Sequence, residues 1–230
     1  MTAGKACALV VGASGGLGSA LVDALHSRRS PAEVVSLSRR EHELDITDEV
    51  IVAAAAASLR SSGYRFDTVI DATGILDVDG ARPEKAFKEI NADTMARSFA
   101  VNAVGPALLF KHLVPLLALD CRSTFSSLSA RIGSIGDNRL GGWVSYRASK
   151  AALNQIVRCA AIEAGRMNPN AILVALHPGT VETALTRRYA RGRYTATPNT
   201  AANQLLDVID GLTPQDSGGF FDFEGKPIEW

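Results

Sequence analysis

Apolar and polar positions along this chain fall into blocks whose period alternates between that of a strand and that of a helix. The run at 6–11 is continuously apolar and stops at Gly12, as expected of a strand buried on both faces. Further strands are predicted at 33–38 (EVVSLS), 66–71 (FDTVID), 124–128, 172–176 and 219–223. Between them, apolar residues recur at helical spacing over 17–25, 47–59, 92–117, 145–164 and 200–209. Thr47 is a plausible N-cap for the alanine-rich second helix. Strands that alternate with helices imply parallel pairing, right-handed crossovers and helices on both faces of one sheet. The expected fold is therefore a three-layer α/β domain with a doubly wound parallel sheet, spanning 1–230 without a linker or repeat. Two stretches, 133–143 and 180–198, lack periodicity and follow strands, where such folds bind ligands.

Composition narrows the function. Lys and Arg total 24 and Asp and Glu total 24, so the formal net charge is zero. Nothing in that balance draws the chain to nucleic acid or an anionic membrane. Three scattered cysteines, Cys7, Cys121 and Cys159, suit neither a disulfide framework nor a metal site and read as buried, reduced thiols. The apolar runs at 50–57 and 113–119 fall short of a bilayer span, and no leader is visible. A cytoplasmic protein without nucleic-acid, membrane or metal partners is expected.

The first strand runs into Gly12-Ala13-Ser14-Gly15-Gly16-Leu17-Gly18. Gly12 permits a tight strand exit, Gly16 a close approach by pyrophosphate, and Gly18 close packing of helix on strand. The helix start then offers free N–H groups to phosphate. The same residues also fit G-x-S-x-G, with Ser14 as a nucleophile and His177 as its base. That reading lacks an earlier strand to supply an oxyanion hole. Past the second strand, Ser38 stands where a ribose-binding carboxylate would favour NAD, and Arg39 follows it. A guanidinium suits a 2′-phosphate, so NADP is expected over NAD.

Tyr146 and Lys150 are four residues apart on one predicted helix, hence on one face. A nearby ammonium lowers a phenol's pKa and makes it an acid–base group beside a hydride carrier.

With Asp45, Asp71-Ala72-Thr73-Gly74, Asn102 and Pro178-Gly179, these motifs make the chain resemble the short-chain dehydrogenase/reductase family, which has a Rossmann-type fold, from Lys5 to about Phe223. Within it the chain looks most like the C-factor-like and sniffer-like carbonyl reductases, through 128–149, 177–183 and 219–230. The resemblance implies an NADP-dependent oxidoreductase that moves hydride between nicotinamide and a small carbonyl or alcohol, working as a homodimer or homotetramer. It implies that Gly12, Ser14, Gly15, Gly16, Leu17 and Gly18 hold the dinucleotide. Ser38, Arg39, Asp45 and Ile46 would meet the adenosine end, and Ala72, Thr73 and Gly74 the middle. Pro178, Gly179, Thr180, Val181 and Thr183 would cover the nicotinamide. Tyr146 would be the acid–base, Lys150 would bind the ribose, and Asn102 would kink its helix and hold a water.

One departure matters. Ala130 stands where the family places the serine that orients the substrate oxygen. Ser134, in the following loop, and Ser129, one residue earlier, are the candidate replacements. If neither serves, the alternative is a catalytically weakened member acting as a nucleotide-binding signal or sensor. Trp143 is a candidate wall of the substrate pocket, and Arg187, Arg188, Arg191 and Arg193 read as a solvated face.

Overall fold

A computed structural model describes residues 7–28 and 33–230. Ala6 and Lys5, where the first strand and the resemblance were expected to begin, lie outside them. Six parallel strands form one sheet in the order β2-β1-β3-β4-β5-β6: β1 (Cys7–Val11), β2 (Glu33–Leu37), β3 (Thr68–Asp71), β4 (Ser123–Leu128), β5 (Ala171–His177) and β6 (Phe220–Asp222). The chain leaves β1 for β2 on one side and returns to β3 on the other. The carboxyl ends of β1 and β3 therefore open a crevice at the switch point.

The helices are α1 (Gly16–Arg28), α2 (Arg39–His42), α3 (Glu49–Ser61), α4 (Ala92–Phe99), α5 (Gly105–Leu113), α6 (Val144–Met167), α7 (Arg187–Ala190) and α8 (Pro198–Gly211). Two apolar clusters, one on each face of the sheet, form the core. Leu9, Val69, Phe125 and Leu173 meet Leu109, Leu113, Leu153 and Val157 on one face. Val10, Ile70 and Val174 meet Leu21, Leu25, Leu205 and Ile209 on the other.

Several local expectations need correction. Asp48, not Thr47, caps α3: its carboxylate accepts the N–H groups of Val50 and Ile51. Thr47 is instead bound to Asp45 Oδ1, through its N–H at 2.9 Å and its hydroxyl at 2.7 Å. The long helix at 92–117 is not continuous α-helix. It opens into a π-turn over Ala100–Val104 and closes with a 3₁₀ turn over Val114–Leu116. Taken as one run, Ala92–Leu116 has the length and apolar composition of a membrane span. Asn102 and Lys111 interrupt its apolar run, and Leu109, Phe110, Leu113 and Leu116 pack into the core. Cys7 is buried, but Cys121 and Cys159 are exposed, so the thiols do not share one environment.

Candidate active site

The crevice has two lobes that share Gly15, Ala72, Thr73 and Gly74. The first, about 280 Å³, is lined by the turn from Gly15 to Gly18, by Ser129, Ala130, Tyr146, Lys150 and His177, and by the segment from Pro178 onward. The second, about 480 Å³, is lined by Gly12, Ser14, Ser38, Arg39, Asp45, Ile46 and Arg97, among others.

Backbone geometry builds the floor. Gly12 sits at φ +84, and a Cβ there would lie 2.9 Å from the carbonyl carbon of Ala72. A Cβ on Gly18 would overlap the carbonyl oxygen of Gly12, and one on Gly16 would press on the Thr183 methyl at 3.1 Å. At Gly12 and Gly18 only glycine lets strand and helix meet, and at Gly16 it keeps the covering loop close. Asp71 then turns the chain out of β3. Its Oδ1 accepts the Thr73 N–H at 3.0 Å and the Thr73 hydroxyl at 2.5 Å, while Oδ2 accepts the Ser127 hydroxyl at 2.5 Å. That turn presents Gly74, whose absent side chain leaves room for Asn102 Oδ1 and Lys150 Nζ.

Asn102 is fully buried inside the π-turn. Its amide brackets Ile75, accepting that N–H and donating to that carbonyl, both at 2.9 Å. The widened turn is what lets its side chain leave the helix for a neighbouring loop. The expected kink is therefore a π-turn.

Tyr146 and Lys150 stand one turn apart on α6 and both line the first lobe. Burial pushes the Tyr146 phenol up to about 12. Burial also holds Lys150 down to about 8, against the pull of the Asp71 carboxylate, and its Nζ donates to the Leu128 carbonyl at 2.8 Å. The expected lowering of the phenol by the lysine is thus outweighed: desolvation of both groups dominates. Asp45 is held below the usual carboxylate range, first by its hydrogen bonds from Thr47 and then by Arg97 and Arg39.

Neither serine proposed to replace the missing one offers a free donor to the first lobe. Ser129 donates to Asn154 Oδ1 at 2.6 Å. Ser134 does not line either lobe, and its Oγ accepts the Asp137 N–H at 3.0 Å. Ala130 does line the first lobe. Thr180 lies outside both lining sets, and its carbonyl accepts the Thr195 N–H. Ser14 and His177 line different lobes and share no hydrogen bond, so no nucleophile–base pair exists. His177, held down to about 4 by burial first and then by Arg131, is a neutral imidazole.

Other contributors gave no sequence signal. Arg97 joins Arg39 and Arg40 around the second lobe. Asp77 accepts the Tyr189 hydroxyl and pairs with Arg188 at 3.0 Å, so α7 is latched at those two residues, while Arg187, Arg188, Arg191 and Arg193 all stay exposed as the expected solvated face. Trp143 stands edge-on between Tyr146 and Tyr189, with ring centroids 6.3 and 5.1 Å away.

Residues 6–193 match the family profile described as short chain dehydrogenase. The chain is 31% identical to 1-hydroxy-2-glutathionyl-2-methyl-3-butene dehydrogenase of a Rhodococcus strain, over 96% of this chain and 98% of that protein. It is 35% identical to the C-signal protein of Myxococcus xanthus over 63% of this chain and 84% of that one. Among solved structures, an NADPH-bound carbonyl reductase from chicken fatty liver superposes with a TM-score of 0.81 at 26% identity, covering 98% and 94% of the two chains.

Proposed function

Because the chain belongs to the short-chain dehydrogenase family, we propose that it is an NADP-dependent reductase of small carbonyl compounds, with Tyr146 as proton donor. The observation that carries this reading is one lobe of about 280 Å³ that brings Tyr146, Lys150 and the glycine turn together. The residues present fit a dinucleotide. Glycines occupy the positions where a Cβ would fill the floor, and Arg39, Arg40 and Arg97 gather at the far lobe. Three cations there suit a phosphate on the adenosine ribose better than a bare diol. The NADPH-bound relative supports the same choice. When bound, the nicotinamide supplies the hydride.

The chain's own residues do the rest. Gly12 to Gly18 and Ala72 to Gly74 hold the pyrophosphate and ribose side. Pro178, Gly179, Val181 and Thr183 cover the first lobe and exclude water. Lys150 would hold the ribose, and Asn102 fixes Ile75 beside Gly74. A phenol near 12 keeps its proton through neutral pH. Tyr146 would give that proton to the developing alkoxide when the carbonyl is reduced. Copies pairing through the α5–α6 groove, lined by Phe110, Ile156 and Met167, would build the expected homodimer or homotetramer.

Tyr146→Phe tests the mechanism. Turnover is expected to fall about 10²–10⁴-fold while the Kd for NADPH stays within about two-fold. Unchanged turnover would sink it. Ala130 favours a second reading, a nucleotide-binding sensor with residual activity, because Ser129 already donates to Asn154 and Ser134 lies outside the first lobe.

A further inference from the structure

We infer that Glu84 is the positioning residue for Tyr146, an inference that rests on Tyr146 being the proton donor. The start of α6 is unusual. Trp143 stands at its N-cap with φ 53 and supplies no side-chain hydrogen bond. A helix start leaves its first N–H groups without partners, and the usual remedy is a short polar side chain at the N-cap itself. Indole cannot serve.

Glu84, far away in sequence, fills the role. Its Oε2 accepts the Ser145 N–H at 3.2 Å and its Oε1 accepts the Ser145 hydroxyl. Its backbone carbonyl accepts the Trp143 N–H at 2.5 Å. One residue thus grips the positions one and three before Tyr146. Glu84 is only 5% exposed, and no Lys or Arg among the described residues pairs with it. A buried carboxylate is costly unless it is hydrogen-bonded. Here the compensation comes from the Ser145 donors and the positive end of α6.

The phenol depends on that grip. Among the described residues, Tyr146 Oη makes no hydrogen bond, so its place depends on its backbone and on packing such as the edge-on Trp143 ring. Further along, α6 is held by Leu153, Val157 and Ala161 in the core; the first turn places no apolar residue there and is tied by polar contacts, Glu84 before Tyr146 and Arg147 after it, whose guanidinium donates to the carbonyls of Gly141, Gly142 and Ile132. The loop that presents Glu84 is itself ordered. Val78 and Ala81 exchange backbone hydrogen bonds, the Lys85 N–H is bound to Glu89 Oε2, and Pro83 is buried. Its Asp77 also holds Tyr189, the far side of the same aromatic wall.

The test uses the full chain with Glu84→Ala, Glu84→Gln and Tyr146→Phe side by side. Three quantities are read: kcat and KM for NADPH-driven reduction of phenanthrenequinone, the Kd for NADPH, and amide exchange at 143–147. Glu84→Ala is expected to lower kcat about 10–100-fold, the loss that a misplacement near 1 Å brings, with KM and Kd within about two-fold. Exchange at Trp143 and Ser145 should quicken while the rest of α6 stays protected. Glu84→Gln, which keeps an acceptor for Ser145, should recover most of kcat. Turnover lost in Tyr146→Phe but untouched in folded Glu84→Ala overturns this inference alone. Turnover surviving in Tyr146→Phe overturns the proton-donor reading and this one with it. A Glu84→Ala chain whose kcat and NADPH affinity fall together in proportion to unfolding also overturns it, since the role is then stability only.

Discussion

The two sides of the crevice are made differently. On the cofactor side, backbone does most of the work: Gly12 and Gly18 sit where a single added carbon would collide, Gly16 where it would crowd the Thr183 methyl, and Asp71 forms a turn within its own loop. On the substrate side, side chains reach across long sequence separations. Glu84 holds the start of α6, Asp77 holds Tyr189, and Arg147 donates to the carbonyls of Gly142 and Ile132. The first kind of wall tolerates almost no substitution. The second can be remade one contact at a time, which is how one fold accepts many substrates.

The largest expected effect lies on the rigid side. Gly18→Val should abolish NADPH binding and lower stability by several kcal/mol, because the side chain meets the Gly12 carbonyl with no room to shift. A thermal melt and a fluorescence titration check it; a stable variant that still binds would erase the contrast. On the adaptable side, Ala130→Ser restores a hydroxyl to the first lobe. Its kcat should rise about 10²-fold if the native site lacks a donor for the substrate oxygen. No rise would mean that another group already holds that oxygen. Arg39→Ala should weaken NADPH about 10-fold and leave NADH within two-fold.

Lys150 gives a pH test of the shared floor. Its folded value near 8 lies below the ordinary 10.5, so the folded chain binds fewer protons than the unfolded chain between them. Stability from this group is therefore gained as pH rises from about 8 to 10 and is absent below 8. Chemical unfolding at several pH values should show that slope in the wild type and not in Lys150→Met. The smallest effect is expected for Asp77→Asn, which loosens α7 and should change KM by only a few-fold.

Much of the cofactor side was legible because its signals are local. Three glycines at fixed spacing after an apolar run can be read without knowing the rest of the chain. The six strands were legible for the same reason, since each is an apolar or alternating run bounded by turn residues. The N-cap of α3 was misplaced by one residue because Thr47 and Asp48 are both good caps, and only the Asp45 contact decides between them. Asp77, Glu84 and Arg97 were invisible. Each acts on a residue outside its own element, and nothing in the composition of the segment around them marks it. Ser134 and Ser129 were legible as hydroxyls near the right place, but whether a hydroxyl is spare and faces the lobe depends on Asn154 and on the path of the loop after Ala130.

The π-turn at Ala100–Val104 carries a consequence for how this chain can change length. A π-turn holds one residue more than regular helix needs, so a single deletion there would leave an unbroken α-helix. Local hydrogen bonding would lose nothing. Each residue advances an α-helix by about 100°, however, so removing one would swing Leu109 and Phe110 relative to Asn102. Either the core face or the amide that brackets Ile75 would then point the wrong way. The helix between β3 and β4 is thus a vernier, and its length is fixed by phase rather than by distance.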